Sequence, residues 1–179
     1  EAVSDEEAVF TEPLAAALEI FEQIHVPPGE QVLVIGDGKL GLLVAQVFAV
    51  FGHRVTLHGR HEKKLALARR WGVRAEQSAE GQDTEKFPLI VEATGAPAGF
   101  EAALKHVRPR GTIVLKSTYA PDALPKLDAA KIVVDEIRIV GSRCGRFAPA
   151  LRLLAQGKLD VRSLIDHRKP LAQGVEAFE

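Results

Sequence analysis

The chain has 179 residues, of which 46% are hydrophobic and 26% charged, with a formal net charge of −1. This is the make-up of one ordinary globular domain, and without a Lys/Arg-rich block it argues against nucleic acid and against an anionic membrane as partners. No apolar run approaches the ~20 residues that span a bilayer, and the opening residues do not read as a secretory leader.

The one cysteine, Cys144, allows neither an internal disulfide nor a structural zinc site, which fits a reducing cytoplasm. It reads as a small residue at a strand end rather than a catalytic thiol. There is no Met, not even at the start, so the chain reads as an excised piece or a processed form.

Ser4 and Glu7 open the chain with a capping-box spacing. A second helix starts at Thr11-Glu12-Pro13, where proline suits the first turn, and Leu14, Leu18 and Phe21 recur at helical spacing. Pro27-Pro28-Gly29 ends it. An apolar run over 32–35 then enters Gly36-Asp37-Gly38-Lys39-Leu40-Gly41, and a second apolar run covers 42–51. The order is buried strand, glycine turn, buried helix, the setting in which G-x-G-x-x-G signifies dinucleotide binding. Gly36 permits the sharp turn, Gly38 leaves room for a pyrophosphate, and Gly41 lets the helix lie close on the strand. The helix N-terminus then faces the phosphates. Lys39 reads either as a phosphate ligand or as a solvated lysine.

Residues 54–58 form the second predicted strand and 62–71 a helix with Leu65, Ala68 and Trp71 on one face. A short strand over 73–76 and a polar loop over 78–86 follow. The fourth strand covers 87–93 and closes at Thr94-Gly95. A helix over 100–107, a turn at Pro109-Arg110-Gly111 and a fifth strand over 112–116 come next. A proline-bounded loop spans 120–125, a sixth strand 137–140, and a helix 147–155. Leu164-Ile165 reads as a last short strand. Strands and helices alternating at about twenty-five-residue spacing predict an α/β fold, a doubly wound parallel sheet of about six strands with helices on both faces. Its ligand edge carries the loops after Ile35, His58, Ala93 and Leu115.

At the end of the second strand, where an NAD-preferring fold carries Asp or Glu for the ribose, this chain has Gly59 and Arg60. No carboxylate follows in sequence until Glu62. Arg60 is suited to hold a 2′-phosphate with two hydrogen bonds, with His58 and His61 close enough to help, which points to NADP over NAD. The bland alternative is a solvated turn arginine. A metal pair of His58 and His61 has no third ligand nearby in sequence. His25, His53, His106 and His167 read as isolated surface or loop histidines. The only tyrosine, Tyr119, has Ala123 four residues on, which excludes the Tyr-x-x-x-Lys pattern of short-chain dehydrogenases.

Several segments together resemble one family. They are Thr11-Glu12-Pro13-Leu14-Ala15, Pro28-Gly29-Glu30-Gln31-Val32-Leu33-Val34, the turn from Gly36 to Gly41, and Lys64-Leu65-Ala66-Leu67-Ala68 before Trp71-Gly72. Val91-Glu92-Ala93-Thr94-Gly95, Arg108-Pro109-Arg110-Gly111-Thr112-Ile113-Val114, Val140-Gly141-Ser142 and the closing Pro170-Leu171 to Glu176-Ala177-Phe178 complete the set. The chain is similar, over nearly its whole length, to the coenzyme-binding domain of the medium-chain, zinc-dependent alcohol dehydrogenase superfamily.

The resemblance implies a Rossmann-type domain over 1–179, with 1–27 a helical lead-in from a catalytic domain outside this chain and 160–179 the start of the return to it. It implies hydride transfer between a nicotinamide cofactor and an alcohol or carbonyl, by the parent enzyme and not by this piece alone. It implies Thr94-Gly95 over the dinucleotide, Ser117-Thr118 near the nicotinamide, and a homodimer joined through the sixth strand. Zinc is implied for the parent, where the Glu of the E-P-L segment, here Glu12, lies at or beside the metal in polyol-dehydrogenase-like members. Glu12 reads equally as a helix N-terminal acid, and no zinc is expected in this chain by itself. A non-catalytic nucleotide-sensing domain on the same fold is the alternative.

Overall fold

The computed structural model describes residues 3–77, 85–120 and 122–177. Two helices, α1 (Asp5–Ala8) and α2 (Thr11–Gln23), precede the first strand, β1 (Gln31–Ile35). Then come α3 (Lys39–Val50), β2 (Arg54–Gly59), α4 (Glu62–Arg70), β3 (Arg74–Gln77) and β4 (Phe87–Glu92). The chain continues through α5 (Pro97–His106), β5 (Val107–Leu115), α6 (Ala129–Val134), β6 (Arg138–Gly141) and α7 (Phe147–Ala155). The six strands are ordered β3-β2-β1-β4-β5-β6 and all pair in parallel. This is the Rossmann-type sheet expected from the alternation of elements, with its switch in direction between β1 and β4.

Both faces of β1 are buried because its side chains alternate between two cores. Val32 and Val34 join Leu14 and Ile20 of α2, Leu43 and Val47 of α3, and Leu65 of α4. Leu33 and Ile35 join Ile90 of β4, Ile113 of β5 and Phe100 and Leu104 of α5. The near-continuous apolar strands are thus those of a parallel sheet covered on both sides.

Two expectations need correction. Leu164-Ile165 is no strand: Arg162–Leu164 form a 3₁₀ turn with Leu164 buried. The Asp160 carboxylate accepts the Ser163 N–H at 3.2 Å, so a local cap wins where no sheet edge is offered. The Pro109-Arg110-Gly111 turn lies within β5 as an irregularity, with Arg110 at φ 61° and the pairing register with β4 shifting across it. Most of the predicted loop 78–86 and Phe178 lie outside the described residues.

At the ligand edge, the buried ammonium of Lys116, just past β5, ties three elements together. It donates to the Ala16 carbonyl of α2 at 2.6 Å, to Ser142 Oγ at 3.1 Å and to the Arg143 carbonyl at 2.7 Å. Burial pulls its pKa down to about 8 against the pull of Glu19, Cys144 and Glu12. Because the folded value lies below the unfolded one, the unfolded chain binds more protons between them and stability rises with pH across that window. Urea unfolding should therefore show stability increasing from pH 8 towards the ordinary lysine value of 10.5, by up to about 3 kcal/mol. Lys116→Met should remove that slope; a slope unchanged by the substitution would refute it.

Candidate cofactor site

The turn from β1 into α3 rests on two glycines that nothing larger replaces. A β-carbon on Gly41 would lie 1.9 Å from the Gly36 carbonyl oxygen, and one on Gly36, at φ 116°, would lie 2.8 Å from the Ala93 carbonyl oxygen. These contacts seat the start of α3 on β1 and on the end of β4. Gly38, the N-cap of α3, faces open space. The unpaired N–H groups of the first turn of α3 therefore have room in front of them, which suits a diphosphate.

Beside this turn lies a cavity of about 780 Å³. Of the residues singled out from sequence, Gly36, Asp37, Gly38, His58, Gly59, Arg60, His61 and Thr94 line it. Gly41 lies buried behind the turn, and Leu40 packs against the core. Lys39 is turned away and pairs with Asp166 at 3.0 Å. Gly95 sits on the neighbouring loop, where a β-carbon would lie 3.5 Å from the Thr118 carbonyl oxygen and 3.8 Å from Ser117 Cβ. The loops after β4 and β5 are thus adjacent. Glu12 does not line the cavity: it is exposed, with Oε1 3.8 Å from Cys144 Sγ.

The largest departure from the sequence reading lies at the end of β2. An acid is present there after all, supplied by the glycine turn rather than by β2. Asp37 is buried, and its Oδ2 accepts the N–H groups of Arg60 at 2.8 Å and His61 at 2.7 Å. The His61 ring nitrogen lies 3.0 Å from the same oxygen. Burial raises the Asp37 pKa, but these donors together outweigh it and hold the carboxyl below its ordinary value. Gly59 is glycine because Asp37 fills the space: a β-carbon there would lie 2.6 Å from Asp37 Cβ.

The histidines also divide. His61 is engaged by Asp37, and its side chain is 62% exposed. His58 is buried, 3.9 Å from Glu76 and edge-on to His106 at 5.4 Å. His106, expected on the surface, is buried at the end of α5, its Nδ1 3.0 Å from the Glu85 carbonyl oxygen. That leaves Arg60 as the cation at the mouth, joined by Lys64 and Lys105, which sequence reasoning missed. Lys64 was discoverable, one turn into the helix that follows Arg60; Lys105 and His106 carry no local signal because they reach the cavity from beneath the sheet.

The family profile described as zinc-binding dehydrogenase matches residues 40–156. The chain belongs to the zinc-binding dehydrogenase family. It is the family's NAD(P)-binding domain, with the sheet order and glycine turn described above. D-arabinitol dehydrogenase 1 of Uromyces fabae is 28% identical over 198 aligned positions, covering 99% of this chain and 55% of that enzyme. An alcohol dehydrogenase of Escherichia coli CFT073, solved with NADH, is 25% identical with a TM-score of 0.88, covering 99% of this chain and 56% of that one. A protein of Sinorhizobium meliloti 1021, solved with NADP, shares the fold at 22% identity and a TM-score of 0.86, covering 96% of this chain and 54% of that one. The chain thus spans about half the length of these relatives.

In this domain the Asp37 lock has a measurable worth. Asp37→Ala leaves two backbone donors without their acceptor, and should cost about 1–2 kcal/mol in urea unfolding at pH 7. Because the folded pKa is depressed, the charge contributes above the unfolded value of 3.8 and its contribution fades as pH falls through the folded one. The gap between the two proteins should narrow there; a gap constant down to pH 2 would contradict the lock.

Proposed function

We propose that this chain is the cofactor platform of a larger alcohol or polyol dehydrogenase, that it prefers NADP to NAD, and that it pairs as a homodimer. The open Gly38 between two close-packed glycines is the observation that carries the reading. Gly36, Gly38 and Gly41 would hold the pyrophosphate with the N–H groups of α3. Thr94 and Gly95 would lie over the dinucleotide, and Ser117 and Thr118 beside the nicotinamide. The bound nicotinamide supplies the hydride-carrying ring. The chain's own residues bind it, orient it and fix its two ends along the sheet edge. Residues 1–27 and 160–179 are read as the passages to and from a catalytic domain, and an alcohol or polyol substrate follows from the named activities of the relatives. The single, exposed Cys144 supports a cytoplasmic setting. Among the described residues no helix is long and apolar enough to cross a membrane.

Zinc stays with the parent. Glu12 and Cys144 form only a pair, and among the described residues no three His, Cys, Asp or Glu side chains are grouped to hold a metal ion. This donor set does not by itself fit a zinc ion.

The NADP preference rests on Arg60 and Lys64 at the mouth of the cavity, with no ion-pair partner for the Arg60 side chain among the described residues. Asp37 keeps its negative charge while accepting backbone N–H groups beside them, so the preference needs Arg60 and Lys64 together to outweigh it. A charge-assisted pair at an exposed edge, about 1.5 kcal/mol, makes NADPH bind roughly tenfold tighter than NADH. Arg60→Ala should remove most of that difference and leave NADH nearly unchanged, with titration calorimetry as the measurement. Equal affinities in the unmutated chain would make Arg60 a bystander. Gly59→Asp is no clean test, since its side chain would displace Asp37.

The dimer rests on the free edge of β6 and on the apolar residues beside it. Val133 and Val134 of α6 are 75% and 78% exposed. An uncovered strand edge flanked by apolar surface is a pairing site. Light scattering should give twice 19.4 kDa, and Val134→Lys should shift the chain towards monomer. A monomeric unmutated chain at micromolar concentration would overturn the proposal.

A further inference from the structure

Glu92 ends β4 with a side chain that is completely buried. A carboxylate in that position is costly unless donors fill its oxygens. All its hydrogen-bond partners are donors. Oε1 accepts the N–H of Thr94 at 2.6 Å and its hydroxyl at 2.5 Å, and Oε2 accepts the phenol of Tyr119 at 2.8 Å. Three donors around two oxygens match an ionised carboxylate.

These donors come from two loops. Thr94 follows β4; Tyr119 lies in the loop after β5. The loops meet at Gly95 and Thr118, each next in sequence to one of this carboxylate's partners. The underside is closed by α5, since a β-carbon on Gly99 would lie 2.1 Å from Thr94 Oγ1 and 2.5 Å from Glu92 Oε1. A dinucleotide lying across the edge of this sheet keeps its adenosine half over β2, so its other half passes over β4 and β5.

We propose that Glu92 is a positioning residue which, through Thr94 and Tyr119, locks the loops after β4 and β5 together and so sets the seat of the nicotinamide half. The inference rests on the cofactor reading above and deepens it. Tyr119 suits the role: burial and the Glu92 carboxylate hold its phenol protonated well above the ordinary range, so it remains a donor throughout neutral pH. Tyr119→Phe removes one hydroxyl from a half-buried side chain and leaves the rest of the packing in place.

The test is titration calorimetry of the unmutated chain and Tyr119→Phe with two ligands. One is NADPH; the other is 2′-phospho-ADP-ribose, the same molecule without its nicotinamide. Tyr119→Phe should weaken NADPH roughly five- to tenfold, the loss expected for one charge-assisted bond acting indirectly, and leave 2′-phospho-ADP-ribose within about twofold. Thr94→Val should also weaken NADPH, and the double variant should lose less than the product of the single losses, because both act through one carboxylate. Parallel losses of both ligands would reduce Glu92 to general support and overturn the proposal, as would unchanged NADPH affinity or fully multiplicative losses. An unmutated chain that binds neither ligand would overturn the cofactor reading itself, and this inference with it.

Discussion

The nucleotide edge depends on one missing atom. A β-carbon on Gly41 would stand 1.9 Å from the Gly36 carbonyl oxygen, so only glycine lets α3 start where it does. That start places the first turn of α3 in front of Gly38 and puts Gly36 against the end of β4. The rest follows from rigid neighbours. β1 is held in the middle of the sheet by β2 and β4, and its two faces are packed into two cores. A helix terminus with free N–H groups is then presented at the switch point, where a doubly wound sheet binds its ligands.

Charge at this edge is arranged by reach rather than by sequence neighbourhood. Asp37 spans from the glycine turn to the backbone of Arg60 and His61, and by filling the space beside Gly59 it takes the ground a ribose-binding acid would occupy. Its carboxylate stays charged while it accepts these backbone N–H groups, so Asp37 and the side chains of Arg60 and Lys64 set the potential of the cavity together. Lys116 and Glu92 work in the same manner on the far side of the switch. Each is a buried charge at a strand end, and each holds loops from separate elements at fixed distances. The sheet supplies the platform, and these three buried ionisable groups fix the loops that stand on it.

Much of this was legible in the order of residues. The apolar run 32–35, the glycine spacing and the long apolar helix are local signals, and their period and length pointed to β1, α3 and the parallel sheet. Arg60 was legible for the same reason, standing a fixed distance beyond the glycines. The Asp37 lock was not, because it joins residues 23 and 24 positions apart through a turn whose shape is set in three dimensions. His106 read as a surface residue since nothing in its neighbourhood reveals that the underside of the sheet closes over it. Lys116 reaches a carbonyl 100 residues away. Leu164-Ile165 was misjudged because a short apolar stretch fits a strand or a helical turn equally, and here a capping aspartate decided the case.

The central claim is that a dinucleotide lies across the turn from Gly36 to Gly41. Amide chemical shifts of the isotope-labelled chain, followed by NMR as NADPH is added, test it directly. The largest changes should fall on Gly38, Lys39, Leu40 and Gly41, with a second group at Arg60 and His61 and a third at Thr94 and Gly95. Saturable changes confined to other surfaces, with the amides of the glycine turn unmoved, would contradict the account.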